Sequence, residues 1–201
     1  MRIPLPKINP DGSYTTVASP MEIDGDGANG KSSIPVYAPK GMESLDYLKN
    51  AGEEKNWYGI VTDTGKSTGK PVIQKKEHPC PGAFVSATSY EFPGFSRGDP
   101  ARYVDANSVI YIVLPGHWRS EAKGIVLGCK ATVIDKKTKK TVDAVVADFG
   151  PRAKLGEASI ACAKFFGIPS SPKNGGTEEA RFVYKFWPGV AAKGFELQPS
   201  S

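Results

Sequence analysis

Seven short β-prone runs, each closed by a Gly, Pro or Asn/Asp turn, constrain this chain more than any other feature. They cover residues 57–62, 72–74, 83–90, 109–114, 125–134, 142–147 and 182–187. Turn clusters such as Asp63-Thr64-Gly65, Pro79-Cys80-Pro81-Gly82, Phe92-Pro93-Gly94, Pro115-Gly116 and Asn174-Gly175-Gly176 separate them. Runs of this length between such turns read as strands, not helices. The 22 Gly and 17 Pro show no Gly-X-Y period, so they supply turns. One packed helix is expected over 157–166, because Ser159 and Lys164 are the polar residues of its interior and Gly167 then Pro169 stop it. A weaker helix is expected over 42–50. The pattern predicts a mainly β fold, a six-to-eight-stranded barrel with one or two packed helices. The 201 residues contain no fixed-period repeat and no dividing linker, which predicts one domain over 21–201 behind an N-terminal extension of residues 1–20.

Charge and cysteine usage narrow the chemistry. The formal charge is +5, but its densest basic run, Lys136-Lys137-Thr138-Lys139-Lys140, lies between two apolar β runs without interleaved aromatics. It reads as a solvated hairpin tip, and nucleic acid is not an expected partner. No stretch has the ~18 apolar residues of a membrane span, and the start MRIPLPKINPDGSY has no apolar signal-peptide core. The expectation is no membrane partner, a monomer, and a protein that is secreted or exported by a route needing no such signal, with a cytoplasmic location as the alternative. Cys80, Cys129 and Cys162 have no C-x-x-C spacing, and His78 and His117 are far apart, so no metal or cofactor is expected. Cys129 and Cys162 read as buried thiols.

The richest stretch for chemistry runs from Val145 to Ser159. An apolar strand ends at Asp148, a Gly150-Pro151 turn follows, and Glu157 stands at the expected start of the helix. Two carboxylates in different surroundings can divide acid and base roles, as glycoside hydrolysis requires. The bland alternative is a turn cap and a residue that complements a helix dipole. Asp24 and Asp26, in Ile-Asp-Gly-Asp-Gly, could face a cationic ligand; Pro35 at the twelfth position argues against a calcium loop. Aromatics beside turns, Trp57 and Tyr58 among them, suit stacking on sugar rings.

Several pieces occur in an order that resembles the family 75 glycoside hydrolases, the fungal-type chitosanases. They are Met21 to Gly27 (MEIDGDG), Trp57 to Asp63 (WYGIVTD), Pro79 to Thr88 (PCPGAFVSAT), Val104-Asp105-Ala106, Ile110 to Pro115 (IYIVLP), Ala144 to Ser159 (AVVADFGPRAKLGEAS) and Val183 to Gly189 (VYKFWPG). The resemblance implies inverting, endo-acting hydrolysis of β-1,4-linked glucosamine polymer by Asp148 and Glu157. Asp24, Asp26, Asp63, Asp105, Tyr58 and Tyr111 are the candidate substrate contacts, and for a +5 protein to hold polycationic chitosan the carboxylates must converge on one groove. Gly-Glu-Ala-Ser stands where that family usually has Gly-Glu-Gly-Ser. Strand, Asp-x-Gly-Pro, then Glu-x-Ser before an Ala-rich helix is also similar to double-psi β-barrels of the expansin and lytic-transglycosylase type. Those suggest two alternatives: a peptidoglycan-cleaving barrel, such as a lysin or antibacterial effector, and a non-catalytic carbohydrate-binding barrel. Asp148 follows an apolar run and is the expected general acid. Glu157, at the expected helix start, is the expected ionised base.

Overall fold

A computed structural model of the chain describes residues 3–31, 34–122, 124–150 and 154–199. Its ten strands are β1 (Lys7–Ile8), β2 (Tyr14–Thr15), β3 (Ser19–Asp24), β4 (Gly52–Glu53), β5 (Asn56–Trp57), β6 (Tyr111–Pro115), β7 (Cys129–Asp135), β8 (Thr141–Gly150), β9 (Glu157–Ser159) and β10 (Thr177–Ala191). The two α-helices are α1 (Trp118–Glu121) and α2 (Ile160–Phe166). Six strands close into a barrel in the order β10-β3-β9-β6-β8-β7, with β7 pairing back to β10. The fold is mainly β, with a closed barrel and two helices, as the turn-punctuated sequence predicts. The N-terminal ribbon β1–β2 adds to the edge of β10.

Two pairings in the barrel are parallel, β3 with β9 and β6 with β8. A parallel central strand is covered on both faces, and β6 is accordingly an unbroken buried run, Tyr-Ile-Val-Leu-Pro. By contrast β7 alternates, with Cys129, Ala131 and Val133 inward. The interior is filled by aromatics from β10, Phe182, Tyr184 and Phe186, against Phe166 of α2 and Trp118 of α1. The basic run 136–140 is the hairpin tip between β7 and β8, where Asp135 accepts the main-chain N–H groups of Lys137 and Thr138.

The expected helix is shorter than its composition suggests. Glu157-Ala158-Ser159 is drawn into the barrel beside β3, and Ser159 becomes the N-cap of α2. The expected helix over 42–50 is reduced to a 3₁₀ turn, Leu48–Ala51. The runs 57–62, 72–74 and 83–90 form isolated bridges, Ile60 with Ser86, Thr62 with Pro71 and Ile73 with Phe84, in a long excursion between β3 and β6. Side-chain amides substitute for a ladder there. Asn29 Nδ2 donates to the carbonyls of Gly27 and Ser86, Ser86 N donates to Asn29 Oδ1, and Gln74 Nε2 donates to Asn29 O.

Ser159 ties helix to barrel, since its buried Oγ accepts from Cys162 N at 3.2 Å and from Tyr111 N at 3.1 Å. Ser159→Ala leaves both donors without that partner, at about 1–3 kcal/mol each. Thermal unfolding should therefore fall by several degrees; an unchanged midpoint would show that the hydroxyl contributes nothing.

Candidate active site

The barrel and the excursion enclose a cleft of about 930 Å³. Four of the sequence-predicted carboxylates line it: Asp24 at the end of β3, Asp26 in the following turn, Asp148 in β8 and Glu157 at the start of β9. Tyr58 lines it too, 68% exposed and free to lie along a ligand ring. Glu22, Asp46 and Glu178 also line it, and the basic side chains of its lining are Lys154 and Lys173. Among the described residues of the lining, seven acids stand against two lysines, opposite in sign to the whole chain.

Topology explains why Asp148 and Glu157 share this cleft. They lie on β8 and β9, which flank β6, and β6 presents Val113 between them. Residues 148 and 150 face the same side of β8 and are separated by about 6.6 Å of strand. A Cβ built on Gly150 would lie 2.9 Å from Glu157 Oε2. Glu157 therefore reaches across β6 to Gly150, and Asp148 lines the same cleft two residues earlier on β8. Gly156 aims it: φ is +109°, and a side chain there would strike the Pro20 carbonyl. The expected Gly150-Pro151 turn lies at the edge of the described residues, with Pro151 outside them.

The space at Gly150 has a testable consequence. Gly150→Ala should leave the fold intact, because its φ is outside the left-handed region and the nearest atom is the end of the flexible Glu157 side chain. The Val113 methyl, at 3.1 Å, need give by only a few tenths of an ångström. If Glu157 is a reacting group, turnover should fall about tenfold or more, since small misplacements lower rates by up to about 10²-fold. Comparing kcat with the unfolding midpoint checks this; equal activity would place the Glu157 carboxyl elsewhere during turnover.

Asp148 is 7% exposed, and its Oδ1 accepts from Ser89 N at 3.0 Å, Ser89 Oγ at 2.5 Å and Phe149 N at 2.7 Å. Burial pushes it up to about 6 despite these donors, with the Glu157 charge adding to the rise. Burial also raises Glu157, but Lys154 opposes the rise with its ammonium 3.3 Å from Oε1. Lys154 bridges to Glu22 at 2.7 Å. The helix-dipole expectation for Glu157 is corrected: the residue belongs to β9, three positions before α2, and Lys154 is what favours its anion. Asp24 and Asp26 are held well above the ordinary range, first by burial and then by neighbouring carboxylates. Asp24 feels both Asp148 and Glu157, so the four groups titrate as one coupled set. Burial and mutual repulsion shift this set toward its protonated form, the form a general acid requires.

The other predicted contacts are placed differently. Asp63 Oδ1 accepts from Lys70 N in an exposed turn, and Asp105 accepts from Asn107 N and Ser108 Oγ ahead of β6. Neither is among the described residues of the cleft wall; both accept hydrogen bonds from their own turns. Tyr111 is fully buried behind the wall, its hydroxyl donating to the Asp26 carbonyl at 2.9 Å and favouring ionised Asp24, so it supports the acidic floor. Sequence reasoning missed Ser89, Tyr37, which hydrogen-bonds Asp26, and Lys154. Lys154 had a readable signal, a cation three residues before Glu157; Ser89 and Tyr37 arrive from the excursion and had none. Among the described residues, no three His, Cys, Asp or Glu side chains are arranged to hold a metal ion. Comparison with known proteins finds no family model and no curated sequence that matches this chain.

Proposed function

We propose that this protein is an endo-acting, inverting glycoside hydrolase that cleaves β-1,4-glucosamine linkages of chitosan. The observation that carries the reading is the reversal of charge in the cleft. A +5 protein repels a polycation at long range, yet screening confines that repulsion to ~8–10 Å, and inside the cleft the ligand meets a dominant set of carboxylates. The ordered motifs that resemble those of the family 75 chitosanases favour the same substrate.

In this reading Glu157 takes a proton from water as the water oxygen bonds to the anomeric carbon. Asp148 gives its proton to the departing glycosidic oxygen as that carbon–oxygen bond breaks. Both groups end with their protonation exchanged, and solvent resets them. An inverting pair holds its carboxyls roughly 6.5–9.5 Å apart to admit that water, against ~5–5.5 Å in retaining enzymes. Tyr58 offers a face for a sugar ring, and Asp24 and Asp26 face its ammonium groups.

Purified protein incubated with fully deacetylated chitosan, and separately with peptidoglycan sacculi, tests this. Short glucosamine oligomers from the first and no soluble fragments from the second are expected. Fragments from sacculi alone would replace chitosan with peptidoglycan, and binding without product from either would leave a non-catalytic barrel.

A further inference from the structure

A second hollow, of about 210 Å³, adjoins the acidic cleft, sharing Tyr58 and Ala87 with it as a common wall. A sugar chain that leaves the cleft across Tyr58 meets this hollow next. Its chemistry differs. Lys66 and Arg97 line it, and neither has an ion pair among the described residues. Its acid, Glu91, is held by Arg102 at 2.5 Å. The main chain of Arg97 is held by Tyr103, whose hydroxyl donates to its carbonyl at 2.8 Å. Its exposed guanidinium lies over Gly65, in space that a side chain there would take. Trp57 and Tyr58 add aromatic faces.

We infer that this hollow is a remote subsite for an N-acylated amino sugar. The inference rests on the glycosidase reading and refines its substrate. Unpaired cations repel a free ammonium but donate well to an acyl carbonyl, while the aromatic faces take the ring and the acyl methyl. The two hollows together select a chain with free amines at the cleavage point and an acylated unit beyond it. Partly acetylated chitosan and peptidoglycan glycan strands both offer such a unit. A several-fold loss of rate on one of them in the Lys66→Ala/Arg97→Ala variant would identify which supplies it.

The deciding experiment titrates the full chain with the N-acetylglucosamine tetramer, following tryptophan fluorescence, in which Trp57 reports on the hollow. Wild type should bind, and the Lys66→Ala/Arg97→Ala variant should bind about tenfold more weakly while its rate on fully deacetylated chitosan does not fall. No binding by wild type, or equal binding by the variant, overturns the subsite even if chitosan is cleaved. Absence of chitosan cleavage with tetramer binding lost in the variant instead keeps the subsite and removes the chitosanase reading.

Discussion

Glu157→Gln is expected to abolish cleavage of both chitosan and an activated glucosaminide, because nothing then takes the proton from the attacking water. Asp148→Asn should lose the polymer by about 10²–10⁴-fold, the usual contribution of a positioned proton donor, yet keep much of its rate on the activated substrate. A good leaving group needs little protonation, so the two substrates separate the roles. The assignment follows from surroundings: Asp148 is pushed up to about 6 by burial, whereas Glu157 has Lys154 beside it. Measured kcat/KM on each substrate checks the pair, and the opposite pattern would exchange the roles.

The same Asp148→Asn variant should be more stable than wild type at pH 7. The carboxyl rises on folding from 3.8 to about 6, so between those values the folded protein holds a proton that the unfolded chain has released. Stability is therefore lost as pH rises through about 4 to 6, by up to about 3 kcal/mol for this group. Asp24 and Asp26, also raised, act in the same direction. Asparagine keeps an oxygen that can accept from Ser89 and Phe149 and removes the buried charge. Denaturant unfolding of both proteins at pH 4 and pH 7 measures the difference: a gain for the variant at pH 7 that shrinks at pH 4. A loss at pH 7 would show that the hydrogen bonds to the ionised carboxylate outweigh the cost of its burial. Activity shares the window, since the acid must be protonated, so kcat/KM should decline above pH 6.

The barrel was legible because its strands carry their own signals. The expected runs at 109–114, 125–134 and 142–147 overlap β6, β7 and β8, and the basic run 136–140 is the hairpin tip it was read as. Glu157-Ala158-Ser159 did not, because an Ala-rich segment suits a helix until β3 offers a parallel partner. The same limit applied to residues 57–90, whose β-prone runs are held by the amides of Asn29 and Gln74 and by isolated bridges, not by ladders. At the site, Asp24, Asp26, Asp148, Glu157 and Tyr58 were identified and converge. Asp63 and Asp105 were not distinguishable in sequence from cleft carboxylates, since an Asp in a turn satisfies its neighbours' N–H groups without further signature. Ser89 reaches Asp148 across 59 positions, a pairing that only the closed fold creates.

Proton NMR of the first products released from a glucosamine hexamer tests the central claim most directly. Water activated by Glu157 on the face opposite the proton from Asp148 must give the α-anomer before mutarotation. Initial β-anomer would contradict the inverting pair, and an uncleaved hexamer would contradict the hydrolase.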